Sequence, residues 1–384
     1  MSSPGGGSPE VGRGIGGAAV AGVAAAGEDE QVAVDHDVNQ TVTRARADDP
    51  ALRWEGTIET EHTPEWSRGW RLPLSRIDLF PSRDLQSRAA MQAGVRVVFE
   101  TDTTSVRGRL ALPSPVGAAP DAGVKSTPEL PVDLVVDHEV ISAPIVEGRF
   151  SVTGLRAGTK VVQIWLPQYG DVRLVELELD AGAVVCQAPT DRRPRLTVYG
   201  SSISHCVEAS TPTRTWPALV SRELDLDLTC LGFSGQCHLD PMIGRVIAQH
   251  PAELVITCLG INVWGSGVFN RRSFLPAVLG LLSTIRDGHP DTPILVMSPI
   301  SCPDRDNAEG ASGMTLREIG DFVVEATELL RKHGDADLHL LEGPTVLGPD
   351  DADRLHDGLH PDTEGYALMA SRIAPVVRKL LPAG

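Results

Sequence analysis

The second half of the chain alternates short apolar runs with helix-like stretches, and this alternation constrains the fold more than any other feature of the sequence. Five runs from Arg195 onward are typical of buried strands, because they are almost continuously apolar and end at Gly or Pro: RLTVYG, LDLTCLG, ELVITCLG, PILVMSP and LHLLEG. Crossover helices between apolar strands indicate a parallel sheet covered on both faces. We therefore predict a flavodoxin-like three-layer α/β/α domain with a five-stranded parallel sheet over residues 193–384.

The residues before this domain fall into two regions of different composition. Residues 1–48 are rich in Gly, Ala and acidic residues and have almost no bulky apolar side chains, so we expect a disordered leader. Residues 49–190 contain short β-like runs rich in Val, Leu and Ile, separated by Gly, Pro and Asp, with no comparable amphipathic helix between them. This sequence pattern is typical of an antiparallel sandwich, and we predict a β-sandwich-like domain over these residues.

Composition limits the partners and the compartment. A net charge of −17 argues against a nucleic-acid partner, which usually needs a dense Lys/Arg face, and no apolar run is long enough for membrane insertion. The six cysteines form no CxxC pair and have no zinc-type spacing, so we expect free thiols and a cytoplasmic protein. The stretch IGGAAVAGVAAAGEDE leaves export by an atypical N-terminal signal as the alternative. The oligomeric state stays open.

Polar, Gly-flanked residues lie at the carboxyl ends of the predicted strands, beyond which ligands bind in open parallel sheets. Ser202 lies just beyond the first strand. The segment CLGFSGQC follows the second strand, and LGINVWG follows the third. The segment HDGLHPD precedes the last helix. Singly, each has a structural explanation, because Gly and Asn form turns, Asp caps helices and His is common on surfaces.

Together these segments supply the groups that acyl transfer requires. A serine nucleophile needs a base, a group that orients the base, and donors for the developing oxyanion. Asp357 and His360 can provide the orienting carboxylate and the base from one short loop. Gly235 offers a backbone N–H that no Cβ obstructs, and Asn262 offers a neutral side-chain donor.

The order and spacing of the four segments resemble the SGNH hydrolases, also called GDSL-type esterases and lipases. GSSI resembles the block with the nucleophile, GFSG the block whose glycine joins the oxyanion hole, GIN the G-x-N block and DGLH the D-x-x-H block. The resemblance implies Ser202, Asp357 and His360 as catalytic residues. It also implies an oxyanion hole formed by Ser202, Gly235 and Asn262, with no metal or organic cofactor.

Two positions depart from the family pattern. Ser201 stands where GDSL has Asp, and Val263 replaces the Asp that often follows the Asn. Neither position has one of the catalytic roles, so the departures concern subfamily and substrate. The β-rich leading domain also resembles a layout seen in some carbohydrate esterases of this superfamily.

Several neighbouring residues compete for roles at this site. His356 is an alternative base to His360, whereas His205 and His238 have no Asp at the D-x-x-H spacing. Ser201 and Ser204 flank Ser202; Ser201 can instead support the loop, and Ser204 can cap the following turn. Trp264 is either a wall of the acyl pocket or a buried structural residue, and the polar loop CPDRDNAEGASGM can shape the pocket.

The leading hypothesis is a serine esterase that hydrolyses a small or medium-sized acyl ester through an acyl-enzyme on Ser202. Candidate substrates are an acetylated sugar, a short-chain ester and a tailored metabolite. One alternative is an acyltransferase that uses the same Ser-His-Asp site. The other is a catalytically inactive protein that binds a glycan or a partner.

Overall fold

The computed structural model describes residues 42–112 and 131–381. Most of the predicted leader, residues 1–41, therefore lies outside the described residues. The end of the predicted leader is described, and Thr43–Arg46 forms a strand that pairs antiparallel with residues 176–179. These residues belong to the sheet rather than to a disordered leader. Their side chains are polar apart from Ala45, so the sequence pattern did not distinguish them from the residues before them.

In the described part of the chain, the first domain has twelve strands, one α-helix and one 3₁₀ helix, Leu74–Leu79. The strands are β1 (Thr43–Arg46), β2 (Arg53–Glu55), β3 (Glu59–His62), β4 (Ser67–Trp70), β5 (Arg96–Thr101), β6 (Ser105–Ala111), β7 (Val132–Val136), β8 (Glu139–Ala143), β9 (Arg149–Thr153), β10 (Lys160–Trp165), β11 (Arg173–Leu179) and β12 (Val185–Cys186). The α-helix, α1 (Arg83–Ala89), begins at Ser82, whose side chain accepts a hydrogen bond from the N–H of Leu85. The sequence pattern had predicted no helix here.

The strands form two antiparallel sheets that pack face to face, which confirms the predicted β-sandwich. One sheet has the order β3-β4-β11-β6-β9, with β1 also on β11, and the other has β12-β5-β10-β7-β8, with β2 also on β5. Strand β9 alternates exposed and buried residues, as expected for a sheet with one solvated face. Strand β7 is buried throughout, because Val135 on its outer face packs into the core of the second domain.

The second domain contains the five strands predicted from the sequence: β13 (Arg195–Gly200), β14 (Asp227–Gly232), β15 (Leu254–Cys258), β16 (Ile294–Met297) and β17 (Leu338–Leu341). Its α-helices are α2 (Ser202–His205), α3 (Trp216–Glu223), α4 (Pro241–Gln249), α5 (Ile261–Ser266), α6 (Phe274–Gly288), α7 (Pro303–Asp306), α8 (Leu316–Lys332), α9 (Gly343–Val346) and α10 (Thr363–Leu380). Short 3₁₀ helices cover Pro212–Arg214, Ser234–Gln236 and Pro349–Arg354. No helix in the described residues is long and apolar enough to span a membrane.

The sheet of the second domain is parallel with the order β14-β13-β15-β16-β17, and the predicted flavodoxin-like three-layer fold is confirmed. Helices α3 and α10 cover one face, and α4, α6 and α8 cover the other. The strand order reverses between β13 and β15, which is where ligands bind in sheets of this kind. The end of β13 lies at this reversal, and Ser202 follows it after one intervening residue, Ser201.

Candidate active site

Ser202 is the first residue of α2, the short helix that follows β13. The preceding residue, Ser201, caps this helix, because its Oγ accepts a hydrogen bond from the N–H of Ile203 at 3.2 Å. Ser202 is 8% exposed, so its hydroxyl is held at the edge of the sheet and not in bulk water. Ser201 therefore supports this segment by capping α2, the role considered for Ser204, and Ser202 is the serine presented to the site.

The structure brings Ser202, His360 and Asp357 into one hydrogen-bonded chain. The Oγ of Ser202 lies 2.9 Å from Nε2 of His360, and Nδ1 of His360 lies 2.8 Å from Oδ2 of Asp357. An ionised carboxylate can only accept hydrogen bonds, so Nδ1 carries the proton and Nε2 is free to accept one from the serine. This is the arrangement of nucleophile, base and orienting group that serine acyl transfer requires.

The Asp357 carboxylate is stabilised in its charged form by its own loop. Its Oδ1 accepts the backbone N–H groups of His360 at 2.8 Å and of Leu359 at 3.1 Å. Burial raises the pKa of Asp357, but these hydrogen bonds and the bond to the His360 ring outweigh burial and lower the pKa to about 2. The group that orients His360 is therefore ionised at neutral pH.

Gly235 lies in the 3₁₀ turn Ser234–Gln236, which we call the oxyanion turn and which Phe233 separates from the end of β14. Gly235 is exposed, and a Cβ built on it meets no atom within 4 Å. The turn can lie close to α2, the helix that begins with Ser202, because β14 ends in a glycine, Gly232. A Cβ at Gly232 would come within 2.4 Å of the backbone nitrogen of His205, so only glycine permits this close approach.

Asn262 follows β15 near the start of α5. The chain turns there through Gly260, whose φ of +116° is open to glycine. The side-chain oxygen of Asn262 accepts a hydrogen bond from the N–H of Cys237 at 3.0 Å. This bond connects Asn262 to the segment that follows Gln236, so two of the predicted oxyanion donors belong to hydrogen-bonded neighbouring segments.

The other histidines considered as bases have different partners. His205 is fully buried: its Nε2 lies 2.6 Å from the carbonyl of Gln168 and its Nδ1 lies 2.9 Å from Oγ of Ser234. Burial, and then the nearby charge of Arg71, lower the pKa of His205 well below its usual value. The Nε2 of His356 lies 4.0 Å from a carboxylate oxygen of Glu208. In the described residues, His360 is the histidine hydrogen-bonded to Ser202.

The polar loop after β16 contacts the loop that carries Asp357 and His360. Arg305, in α7, donates a hydrogen bond to the carbonyl of Gly358 at 3.1 Å. Its guanidinium also lies 5.3 Å from the ring centre of Trp264, whose Nε1 donates to the carbonyl of Ala308 at 2.9 Å. This loop therefore borders the site, as the sequence suggested, and Trp264 packs against it.

Arg71 and Gln168 of the first domain contact residues beside the site, and the sequence analysis identified neither of them. Arg71 donates hydrogen bonds to the carbonyls of Cys230 and Gly232 at the end of β14. Gln168 accepts from His205 through its backbone carbonyl. No local sequence signal marks these residues, because their partners lie far along the chain.

One acidic cluster in the described residues has the geometry to hold a metal ion. Carboxylate oxygens of Glu55, Asp191 and Asp227 lie within 4.8 Å of one another. Arginines already neutralise this cluster: Arg96 pairs with Glu55 at 3.0 Å and also with Asp227, and Arg193 pairs with Asp191 at 2.5 Å. Asp227 begins β14, at the end of the strand opposite the oxyanion turn, so this cluster is not part of the Ser202 site.

Comparisons with known proteins assign both domains of the chain to described families. Residues 193–378 match a family model described as the GDSL-like lipase/acylhydrolase family, and residues 52–175 match a model described as the SsfX3 N-terminal domain. The chain is similar to the solved structure of the salicylyl-acyltransferase SsfX3 from a tetracycline biosynthetic pathway. The two are 30% identical with a TM-score of 0.80, and the match covers 89% of this chain and 99% of SsfX3.

More distant structures share the fold. A putative GDSL-like lipase from Bacteroides ovatus is 20% identical with a TM-score of 0.72, covering 88% of this chain and 98% of that one. A family two carbohydrate esterase from Clostridium thermocellum, solved with cellohexaose, is 17% identical with a TM-score of 0.56, covering 75% and 93%. No curated protein sequence matches the chain significantly.

Proposed function

Because this chain belongs to the GDSL-like lipase/acylhydrolase family, we propose that it is a serine enzyme that takes the acyl group of a small ester onto Ser202 and passes it to an acceptor. The observation that carries the proposal is the hydrogen-bonded chain from Ser202 Oγ through His360 to Asp357. The three side chains already lie at hydrogen-bonding distances from one another, so nucleophile activation needs no rearrangement of them.

In the first step, Nε2 of His360 removes the proton of the Ser202 hydroxyl while Oγ attacks the carbonyl carbon of the ester. Asp357 keeps the proton of His360 on Nδ1 and stabilises the imidazolium that forms. The imidazolium then gives its Nε2 proton to the departing alkoxide, and the alcohol leaves. The acyl group remains on Ser202 as an ester.

The tetrahedral intermediate carries a negative charge on the former carbonyl oxygen. The N–H groups of Ser202 and Gly235 and the side-chain amide of Asn262 are the proposed donors to this oxygen. Such donors accelerate acyl transfer because they are fixed in place before the charge develops. The open space over Gly235 leaves room for the substrate oxygen beside its N–H.

The acceptor in the second step distinguishes two candidate functions. With water as the acceptor, His360 deprotonates the water, the acyl-enzyme is hydrolysed, and the protein is an esterase for a small or medium-sized acyl ester. With an alcohol as the acceptor, the same chemistry gives an acyltransferase. The similarity to the salicylyl-acyltransferase SsfX3 favours the second candidate, because it extends over both domains of this chain.

Kinetics of single variants test the shared first step. Ser202→Ala and His360→Ala are each expected to lower turnover of p-nitrophenyl acetate by about 10³-fold or more, and both variants are expected to stay folded and to unfold cooperatively on heating. Ser204→Ala is the matched control, because it also removes a serine hydroxyl from α2. The Ser204 hydroxyl packs against Gly200. A Ser202→Ala variant that keeps wild-type turnover would refute the proposal.

Product analysis separates the two acceptors. In separate reactions, the enzyme is mixed with p-nitrophenyl acetate or with the p-nitrophenyl ester of an aromatic acid, each in the presence of a series of small alcohols. Free acid and new ester are then quantified. Mostly free acid at all alcohol concentrations identifies a hydrolase. New ester that exceeds free acid at millimolar alcohol identifies a transferase.

A further inference from the structure

Arg71 is a buried arginine of the first domain that contacts the active-site strand of the second. It follows β4 directly and is 0% exposed. In the described residues, every hydrogen bond of its guanidinium goes to a backbone carbonyl: Met91 at 2.7 Å, Cys230 at 3.1 Å, Gly232 at 2.5 Å, and Arg88. Burial lowers the pKa of Arg71 to about 10, so the group is still charged at neutral pH.

Two of these carbonyls belong to the last residues of β14, immediately before the oxyanion turn. The guanidinium also lies 5.2 Å from the ring centre of Phe233, the residue between Gly232 and the turn. A planar guanidinium can bind several carbonyls and an aromatic face at once, which the rounder ammonium of lysine cannot reproduce. Arg71 therefore fixes both the position and the direction of the backbone where it enters the oxyanion turn.

A second connection from the first domain reaches the turn through His205. The backbone carbonyl of Gln168 can only accept, so Nε2 of His205 donates to it and Nδ1 accepts the hydroxyl proton of Ser234. Ser234 has a φ of +51°, a left-handed conformation that non-glycine residues rarely adopt. The hydrogen bond to His205 holds Ser234 in this conformation, directly before Gly235. The first domain is thus connected to the turn by two routes, one through the end of β14 and one through His205.

We propose that Arg71, together with the Gln168–His205–Ser234 chain, positions the oxyanion turn, so that the first domain is part of the catalytic apparatus of the second. The inference rests on the proposed function, since it assigns these residues an effect on the same acyl-transfer site. Arg71 acts through the turn and does not touch the substrate, so it is a positioning residue.

Arg96 offers a matched control. It too is a fully buried arginine of the first domain, it lies over an aromatic ring, Trp165, at 5.1 Å, and it also contacts β14. Its contacts are at the opposite end of the strand, with the carbonyl of Leu228 at 3.0 Å and the carboxylate of Asp227. Replacing either arginine weakens the contact between the domains, but only Arg71 contacts the end that leads into the oxyanion turn.

The experiment compares Arg71→Lys with Arg96→Lys in the full chain. The readouts are kcat and KM for p-nitrophenyl acetate, the pH profile, and inhibition by butylboronic acid, whose tetrahedral adduct on Ser202 places an oxygen at the oxyanion position. Rates are normalised to the folded protein, measured by endpoint labelling with a fluorophosphonate. For Arg71→Lys we expect a loss of about tenfold or more in kcat/KM, an equal loss in affinity for butylboronic acid, and an unchanged pH profile. For Arg96→Lys we expect both quantities within about twofold of wild type.

The proposal is overturned if folded Arg71→Lys keeps kcat/KM within about twofold of wild type, or if the two variants lose activity equally. A shifted pH profile with unchanged boronic acid affinity would also overturn it, because the effect would then act through His360. If Arg71→Lys does not fold, Ser234→Ala decides, since it removes only the hydroxyl that bonds to His205: a parallel loss in kcat/KM and boronic acid affinity supports the proposal, and unchanged values overturn it. A wild-type chain that neither hydrolyses esters nor binds the boronic acid would instead refute the proposed function.

Discussion

The side-chain oxygen of Asn262 accepts a hydrogen bond from the backbone N–H of Cys237 at 3.0 Å. Because an N–H can only donate, this bond fixes which end of the amide faces Cys237 and leaves the NH₂ group directed elsewhere. The bond joins the loops that follow β14 and β15. A donor proposed for the oxyanion is therefore oriented by a backbone group and needs no second side chain to hold it.

This relationship predicts the behaviour of two Asn262 variants. Asn262→Asp retains an acceptor for Cys237 but has no donor for the oxyanion, whereas Asn262→Ala loses both. We expect kcat for p-nitrophenyl acetate to fall by about 10²–10³-fold in both variants, because loss of one oxyanion donor typically has this effect. Steady-state kinetics check the prediction. Near-wild-type kcat in Asn262→Asp would exclude Asn262 as a donor.

Asp357→Asn is expected to impair catalysis while leaving the loop intact. The asparagine oxygen can still accept the N–H groups of Leu359 and His360, but its NH₂ group faces Nδ1 of His360 and favours the wrong tautomer. We expect kcat to fall by about 10³–10⁴-fold with little change in KM. The measurement is turnover of p-nitrophenyl acetate at pH 8, with circular dichroism as the control for folding. A loss smaller than about tenfold would contradict the orienting role.

The stability of the chain should depend on pH through Asp357. Its folded pKa of about 2 is below the value of about 3.9 in an unfolded chain, so the ionised carboxylate stabilises the fold above about pH 4. This stabilisation is lost as the pH falls from about 4 towards 2. The Asp357 side chain is 48% exposed, so solvent screening keeps the effect below about 1 kcal/mol.

Thermal unfolding of wild type and Asp357→Asn between pH 3 and pH 6 measures this effect. We expect the difference in Tm between the two proteins to be largest at pH 6 and to shrink towards pH 3. A difference that grows as the pH falls would show that Asp357 does not have a lowered pKa in the folded chain.

The cysteines should differ in reactivity. All six are free thiols, and five of them are buried: Cys206, Cys230, Cys237, Cys258 and Cys302. Burial raises the pKa of Cys237, Cys258 and Cys302 to about 12, which suppresses the reactive thiolate. Iodoacetamide at pH 8 should therefore modify Cys186 in the native chain and all six cysteines after denaturation. Peptide mass spectrometry that finds rapid native labelling of Cys258 would contradict the described packing.

The sequence predicted the second domain better than the first for a physical reason. Strands β13 to β16 are almost entirely buried, so their residues form nearly continuous apolar runs that stand out from the helices between them. Strand β3, with the sequence ETEH, has no such pattern, because its residues are polar and only half-buried and the strand is stabilised by pairing with β4. Helix α1 was missed for a similar reason, since it is short and mostly polar.

The site shows the same division between local and distant information. Asp357 and His360 lie three residues apart and Ser202 lies just beyond the end of a strand, so their chemistry is visible in short segments. Arg71 is different, because an arginine in a β-rich segment ordinarily lies on the surface. Its burial depends on carbonyls of Cys230 and Gly232, which only the folded chain brings to it. Residues that support a site from another domain leave no local pattern.

The most direct test of the account is to identify the residue that carries the acyl group. The chain is mixed with p-nitrophenyl acetate, quenched with acid within milliseconds to seconds, digested and mapped by mass spectrometry, with Ser202→Ala treated in parallel. The account predicts an acetyl group on Ser202 in the wild type and none on the corresponding peptide of the variant. An acetyl group on another residue during turnover, or turnover that persists in Ser202→Ala, would contradict it.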